Sequence, residues 1–201
     1  MSRAETDVPT ERDLETAARR ARMVTAAVEL AVDGGYDAVQ MRDVAARAEV
    51  ALGTLYRHYP SKDHLLLAAL REEASALHDR IAQRPPDGLD PATRTADVLR
   101  RASRALSRRP ELTAALVTAL TAPEPDTAEA KSEVEVVLRA IITDAMAGAP
   151  VPDPDGVVRT LGYVWLAVLS AWVGGTLDSD QMAVDLEVAA RLMLTPVTGS
   201  D

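Results

Sequence analysis

The sequence contains no cysteine and no phenylalanine, and only 3% of its 201 residues are aromatic. The absence of cysteine excludes disulfide bonds, thiolate zinc sites and a cysteine nucleophile, and it favours a reducing compartment. The first 20 residues hold no apolar segment that could direct export. The longest nearly unbroken apolar run, residues 161–173, is shorter than the roughly 20 residues that span a bilayer. We therefore expect a cytoplasmic protein without a membrane span.

Groups suited to catalysis or metal binding are also sparse. The three histidines have no metal-ligand spacing, since His64 and His78 would lie about 21 Å apart on one helix. No nucleophile elbow, P-loop or dinucleotide fingerprint is present, and the carboxylates are scattered over polar positions. The sequence predicts no enzymatic activity, no metal and no cofactor.

Alanine, leucine and arginine are the abundant residues. The apolar fraction of 47% is rich in strong helix formers, which predicts an all-α protein, and its length suits two domains. The formal net charge is −9, but residues 15–62 carry seven basic and six acidic side chains. Because salt screens each charge beyond about 10 Å, an acidic chain can still present a positive surface locally. The net charge therefore does not exclude nucleic acid as a partner.

Hydrophobic periodicity predicts about nine helices. They lie at about residues 15–33, 41–48, 52–59, 62–83, 92–108, 110–121, 127–147, 154–174 and 178–194. Residues 1–14 are polar without periodicity, which predicts a mobile tail. Residues 15–61 are expected to form one domain of three helices, and residues 62–201 a second, larger helical domain.

The second and third helices have the pattern of a helix-turn-helix unit, whose second helix lies in the major groove of DNA. The outward side of the third helix is small and polar. Gly53 allows a close backbone approach, Thr54 can donate to a phosphate, and Arg57 can reach guanine or phosphate. Leu52 and Leu55 share the apolar side. The alternative is a small bundle on which these positions are merely exposed to solvent.

The segment GGYDAVQMRDVAARAEVALGTLYRHYPSKDHLLLAAL, residues 34–70, resembles the DNA-binding region of the TetR family of bacterial transcriptional regulators. In that family TLYxHFxSKxxLL is a specific motif. The resemblance implies DNA contacts by Gln40, Met41, Arg42, Gly53, Thr54, Tyr56, Arg57, His58 and Lys62, the last of them to a phosphate. Leu52 is ambiguous, because its helical angle places it with the core while family members often use this position on DNA. Ala51 stands where the family often has a capping serine.

Three later segments, RRPELTAAL, EVEVVLRAIITDAM and VWLAVLSAWV, resemble the KstR branch of the family, regulators of sterol catabolism in actinobacteria. This resemblance implies a repressor that a bulky apolar inducer, the CoA thioester of a sterol breakdown intermediate, releases from a palindromic double-stranded DNA operator. A repressor that senses drugs or other small lipophilic compounds is one alternative. A helical interaction module that never binds DNA is an alternative of a different class.

The last two predicted helices suggest a homodimer. Helix eight is apolar on nearly every side between Leu161 and Val173. Helix nine has a one-sided apolar stripe formed by Met182, Leu186, Ala189, Ala190 and Met193. Since family members dimerise through these helices, we expect a two-fold four-helix interface. Completion of a core within one chain is the alternative.

A small-molecule inducer needs a pocket, which we place among helices four to eight. The expected lining is Leu77, Leu99, Leu106, Leu116, Leu120, Leu138, Ile142, Met146, Trp165, Leu169 and Trp172. These residues could equally be ordinary core. An anionic headgroup could meet Arg100, Arg101, Arg104, Arg108 and Arg109, which could otherwise form a solvated face.

Overall fold

The computed structural model describes residues 10–195, and over this range the chain forms nine α-helices and no strand. The helices are α1 Glu11–Ala38, α2 Met41–Arg47, α3 Leu52–His58, α4 Lys62–Gln83, α5 Pro91–Ser107, α6 Pro110–Thr121, α7 Ala128–Ala145, α8 Pro154–Val173 and α9 Ser179–Leu194. A 3₁₀ turn at Pro125–Thr127 precedes α7. The all-α prediction is confirmed, and apart from α1 the helix ends agree with it to within two residues.

Helix α1 begins earlier than predicted. The Thr10 side chain accepts from the backbone N–H of Asp13, and the Asp13 side chain accepts from the backbone N–H of Thr10, which forms a capping box. Residues 11–14, expected in the tail, are therefore helical, and residues 1–9 lie outside the described range. Helical geometry breaks at Gly34 and Gly35 as predicted, and Gly35 has a φ of 67° that favours glycine.

Four of the eight other helix starts are capped by short polar residues. The caps that accept from first-turn amides are Ser61 for α4, Asp90 for α5, Asp153 for α8 and Asp178 for α9. Ala51 gives α3 no such side-chain cap. The turn before α3 is fixed by the backbone instead: Glu49 adopts a φ of 56°, and the N–H of Val50 donates to the carbonyl of Ala45 over 3.0 Å.

Helix α4 contributes to three apolar clusters, and the two largest of them show how it is placed. The first joins α1–α4 to α6 and includes Leu55, Leu66 and Leu116. The second, between α5, α8 and α9, is built around Leu99, Trp165, Met182 and Leu186, and Leu77 of α4 packs at its edge. The predicted DNA-binding part therefore shares a continuous core with the larger half, so α4 cannot move without affecting both.

The covered side of α9 is the predicted one, but what covers it differs from the expected partner subunit. The α9 stripe that contains Met182 and Leu186 packs against α5 and α8 of its own chain, so it completes an intramolecular core. Helix α8 turns Trp165 inward, whereas Tyr163 is 65% exposed. A stripe shows that one side of a helix is covered without showing by what, and the apolar residues on nearly every side of α8 left its inward side unassigned.

Helix α8 is 20 residues long, longer than the apolar run recognised in the sequence. By length and composition it is the one helix within residues 10–195 that could cross a membrane, a criterion that core helices of soluble proteins also meet. It packs along α6, α7 and α9.

Candidate DNA-binding surface and ligand cavity

The predicted DNA contacts lie at the start of α2, on α3 and on the first residue of α4. The exposed ones are Gln40, Arg42, Leu52, Gly53, Tyr56 and Arg57, and the partly exposed ones are Met41, Thr54, His58 and Lys62. We call these ten residues the reading surface. Leu55 is completely buried and anchors α3, so the opposite side of this helix faces solvent. None of the ten side chains is enclosed by the protein.

Three positions on α3 decide how closely another molecule can approach this helix. No atom lies within 4 Å of the position that a Cβ on Gly53 would occupy. Leu52 is 37% exposed and Tyr56 is 47% exposed. Leu52 therefore belongs to the outward side, which settles the ambiguity left by its helical angle.

The polar groups of α3 make only long contacts with their neighbours. Arg57 Nη2 donates to Thr54 Oγ1 over 3.4 Å, and Arg20 Nε donates to His58 Nδ1 over 3.4 Å. Partial burial, with additional effects from Arg20, Arg57 and Arg19, lowers the pKa of His58. The imidazole is thus neutral at pH 7, and Arg57 carries the positive charge of this helix.

Lys62 is held beside the reading surface by Tyr36. Its Nζ lies 3.7 Å from the centroid of the Tyr36 ring and donates to the Tyr36 carbonyl over 3.3 Å. The Tyr36 hydroxyl donates to the buried Asp63 carboxylate over 2.7 Å. Burial, reinforced by this hydrogen bond, raises the pKa of Tyr36 to about 12, so the hydroxyl remains a donor at any ordinary pH. The end of α1 and the start of α4 are therefore fastened together.

His64 ties the same end of α4 to the larger half of the molecule. Its Nδ1 lies 2.9 Å from Ser61 Oγ, and its Nε2 lies 3.2 Å from the carbonyl oxygen of Asp126, in the turn before α7. A shift of that turn would therefore reach the first turn of α4 directly.

An apolar cavity of about 110 Å³ lies between α4, α5, α6, α7 and α8. The predicted residues that border it are Leu77, Leu106, Leu116, Leu120, Leu138, Trp165 and Leu169. The structure does not bring Leu99, Ile142, Met146 or Trp172 to this cavity. The first three are buried in apolar clusters further along the bundle, and Trp172 packs at the edge of one of these clusters. Apolar character alone could not distinguish residues that line the cavity from residues of the ordinary core.

Sequence reasoning missed the small and polar parts of the wall. Ala102 and Ala105 of α5 border the cavity, and alanines three residues apart on one face were an available signal, because small side chains leave room. Glu73 and Arg109 also border it, joined by an ion pair of 2.7 Å. The indole N–H of Trp165 is buried with no acceptor among residues 10–195.

A second, polar cleft of about 540 Å³ adjoins the cavity along the end of α4 and α5. Four of the five arginines considered for an anionic headgroup line it, namely Arg100, Arg101, Arg104 and Arg108. Arg109 does not, since it pairs with Glu73. Arg80 of α4 and Arg84, the residue that follows this helix, complete the arginine lining, and the sequence did not single them out.

This combination of a helix-turn-helix unit with a helical cavity domain defines a class of DNA-binding regulators. Residues 24–69 match the bacterial regulatory proteins of the tetR family, and residues 88–193 match the tetracyclin repressor-like C-terminal domain. The crystal structure of a TetR transcriptional regulator from Rhodococcus sp. RHA1 is similar, with a TM-score of 0.83 and 31% identity over 92% of this chain and 100% of that chain. The chain belongs to the TetR family and is a transcriptional regulator, not an enzyme.

Within the family the chain is KstR-like, as its sequence predicted. It is 37% identical over 177 residues to the HTH-type transcriptional repressor KstR of Mycobacterium tuberculosis, covering 88% of this chain and 80% of that protein. The fold is also shared with Thermus thermophilus FadR, a repressor solved in complex with lauroyl-CoA. That likeness has a TM-score of 0.69 and 22% identity over 90% of this chain and 96% of that chain.

Proposed function

We propose that the protein is a cytoplasmic repressor that binds a palindromic operator as a homodimer and leaves it when a bulky apolar small molecule, a sterol-derived CoA thioester, fills the cavity. The observation that carries this proposal is the course of α4. The helix begins with Lys62 at the reading surface and borders the cavity at Leu77, about 22 Å further along. One rigid element therefore joins the DNA-binding end to the ligand.

On the DNA side, we expect α3 to enter the major groove through its exposed face. Gly53 lets the backbone approach, and Tyr56 and Arg57 reach base edges or phosphates. On binding, Lys62 gives up its contact with the Tyr36 carbonyl and donates to a DNA phosphate instead. The groups at the start of α2 contact the DNA backbone as well. These roles are supported by exposure and by the family motif.

The dimer we propose uses the outer faces of α8 and α9, which the sequence analysis did not assign to the interface. Val184, Val188 and Leu192 are 52%, 48% and 78% exposed and recur every four residues along α9. Tyr163 is the exposed large apolar residue of α8. A second copy would cover this stripe from water. Two-fold symmetry then presents two reading surfaces to half-sites about 34 Å, or a multiple of it, apart.

The cavity supports an apolar ligand and also a change of shape on binding. Its volume of about 110 Å³ is smaller than the roughly 300 Å³ at which small-molecule pockets begin. A sterol-sized body therefore requires α4 to α8 to separate. Because such a ligand binds the widened conformation better, it shifts the population toward that conformation.

Widening of the cavity would be transmitted through the fastened end of α4. Lys62 and Asp63 move with Tyr36, and the Asp126 carbonyl moves with His64. A displacement of several Å changes the separation of the two reading surfaces, so both half-sites can no longer be contacted together.

A repressor that senses drugs or other lipophilic compounds is the second candidate for the ligand, favoured by the low polarity of the cavity wall. Mass spectrometry of the compound extracted from purified protein separates the two. A CoA thioester supports the sterol-type ligand, and a polar antibiotic contradicts it.

The DNA-binding part of the proposal is tested by retaining duplexes from a random pool and measuring their affinity by fluorescence anisotropy. We expect enrichment of a palindrome whose affinity falls steeply with salt, because several phosphates release counterions. Tyr56→Ala and Lys62→Ala should each weaken binding by about a hundredfold while far-UV circular dichroism stays unchanged. Arg71→Ala, an exposed change on α4, is the control. Retention of no duplex would favour a helical module that binds another protein.

A further inference from the structure

The polar cleft beside the cavity carries a local positive charge in an acidic protein. Its charged lining consists of Arg80, Arg84, Arg100, Arg101, Arg104 and Arg108 with Asp87 and Asp97. Six arginines and two aspartates give a formal charge of +4, whereas the whole chain carries −9. We infer that this cleft, the arginine cleft, binds two or more phosphate groups of the ligand whose apolar part occupies the adjoining cavity. The inference rests on the proposed function and specifies the headgroup site.

Two of the six arginines are fixed by a buried carboxylate. Asp97 is 3% exposed, Arg101 Nη2 lies 2.6 Å from its Oδ2, and Arg100 Nη2 contacts its Oδ1. Arg101 also donates to the Arg84 carbonyl over 2.8 Å, which ties α5 to the end of α4. These contacts hold the floor of the arginine cleft in place before any ligand arrives.

The other four arginines are uncompensated. Arg80, Arg84, Arg104 and Arg108 form no ion pair with any residue between 10 and 195. Two like-charge pairs of α5 occur at a spacing of four residues: Arg100 with Arg104, and Arg104 with Arg108, the residue that follows the helix. Like charges at this spacing repel each other modestly, and an anion bound between them removes the repulsion. The arginine cleft therefore holds charges that a multivalent anion would neutralise.

The arginine cleft and the apolar cavity share a border. Leu77, Arg80 and Ala105 line both spaces, with Arg80 at the junction. One molecule can thus place an apolar body in the cavity and its charged end among the arginines. Guanidinium groups bind phosphate through paired hydrogen bonds. A single carboxylate would leave most of the four arginines without a partner, so the geometry favours a di- or triphosphorylated headgroup.

Operator phosphates do not explain the arginine cleft. Arg80 lies 18 residues beyond Lys62 on the same helix, about 27 Å from the reading surface. This distance exceeds two screening lengths at physiological salt. A duplex bound at α3 therefore leaves the arginine cleft unoccupied.

The test compares lauroyl-CoA, which carries three phosphate groups, with laurate, which carries the same chain and none. Binding is followed by tryptophan fluorescence, because Trp165 borders the cavity and the second tryptophan of the chain, Trp172, lies on the same helix, α8. The variant is Arg84→Gln combined with Arg104→Gln. Arg71→Gln, on α4 outside the arginine cleft and in an exposed pair with Glu133, is the matched control.

We expect the double variant to bind lauroyl-CoA roughly tenfold or more weakly, with laurate affinity unchanged, and Arg71→Gln to match the wild type. Raising the NaCl concentration from about 50 to 500 mM should weaken the binding of lauroyl-CoA to the wild type far more than the binding of laurate. Equal lauroyl-CoA affinity in the double variant and the wild type would overturn the arginine cleft as the phosphate site. Wild-type protein that binds neither compound would overturn it as well, whereas duplex retention decides separately whether the protein is a DNA-binding regulator.

Discussion

The two ends of α4 differ in how their polar groups are satisfied. At the start, Lys62, Asp63 and His64 each have a partner outside the helix. At the other end, Arg80 and Arg84 face a cleft without a carboxylate partner among the described residues. The end of α4 at the reading surface is thus organised by contacts within the protein, while the end at the arginine cleft has charges that the proposed ligand would neutralise. Changes at the first end should alter operator affinity, and changes at the second should alter ligand affinity.

The largest contrast we expect is between two leucines of α3. Leu55→Ala removes a completely buried side chain and should lower the free energy of unfolding by about 2–5 kcal/mol. Leu52→Ala, at an exposed position, should change it by no more than about 0.5 kcal/mol while weakening operator binding. Urea denaturation measures both. A comparable loss of stability in the two variants would show that α3 does not expose the side assigned to DNA.

The outer stripe of α9 provides the next comparison. Leu192→Glu should convert the dimer to monomer in analytical ultracentrifugation and weaken operator binding by about a hundredfold, because the two half-sites are no longer bound together. Val136→Glu, at a similarly exposed apolar position on α7, should change neither property. If Leu192→Glu remained a dimer, the interface would lie elsewhere.

Two glycines near the DNA-binding end should respond in opposite ways. Gly53→Ala replaces glycine in a helix where no atom obstructs the methyl group, so it should raise stability by roughly 0.5–1 kcal/mol yet weaken operator binding. Gly35→Ala should lower stability by about 1 kcal/mol or more, since φ is 67° and the new Cβ would lie 3.3 Å from Glu111 Oε2. Thermal unfolding with operator titrations checks both. A Gly53→Ala variant with full operator affinity would contradict close approach of the α3 backbone.

The sequence predicted the DNA-binding end more completely than the cavity, for a physical reason. Helices α2 and α3 each have one apolar and one polar side. Periodicity therefore predicts that Leu55 is buried and that the opposite side of α3 is exposed. In α5 to α8 the residues of the core and of the cavity wall have the same apolar character, so periodicity could not tell that Ile142 and Met146 pack away from the cavity. In α9 periodicity separated Leu186 from Val188, but it could not tell that the side with Leu186 packs within its own chain. Those assignments depend on how the helices pack together.

The smallest effect we expect is a dependence of operator affinity on pH through His58. Partial burial, together with Arg20, lowers the pKa of this imidazole below its ordinary value of 6.5, so it is neutral in the free protein at pH 7. Neighbouring phosphates favour the charged form, so binding takes up a proton and operator affinity rises as the pH falls toward the lowered pKa of the free imidazole. Between pH 7.5 and 5.5 we expect a gain of roughly threefold.

The variant His58→Gln should lose this gain in operator affinity, and the control variant His78→Gln should retain it. Anisotropy titrations at constant ionic strength measure both. An equal pH dependence in His58→Gln and the wild type would assign the proton uptake to another group.

The claim that α4 couples the cavity to the reading surface is tested most directly by reciprocal titrations with lauroyl-CoA and the selected operator. Operator affinity should fall by about tenfold or more in saturating lauroyl-CoA, and lauroyl-CoA affinity should fall by the same factor in saturating operator, because coupling between two sites is reciprocal. If lauroyl-CoA binds the protein with equal affinity in the presence and absence of operator, occupation of the cavity does not control DNA binding and the account is wrong.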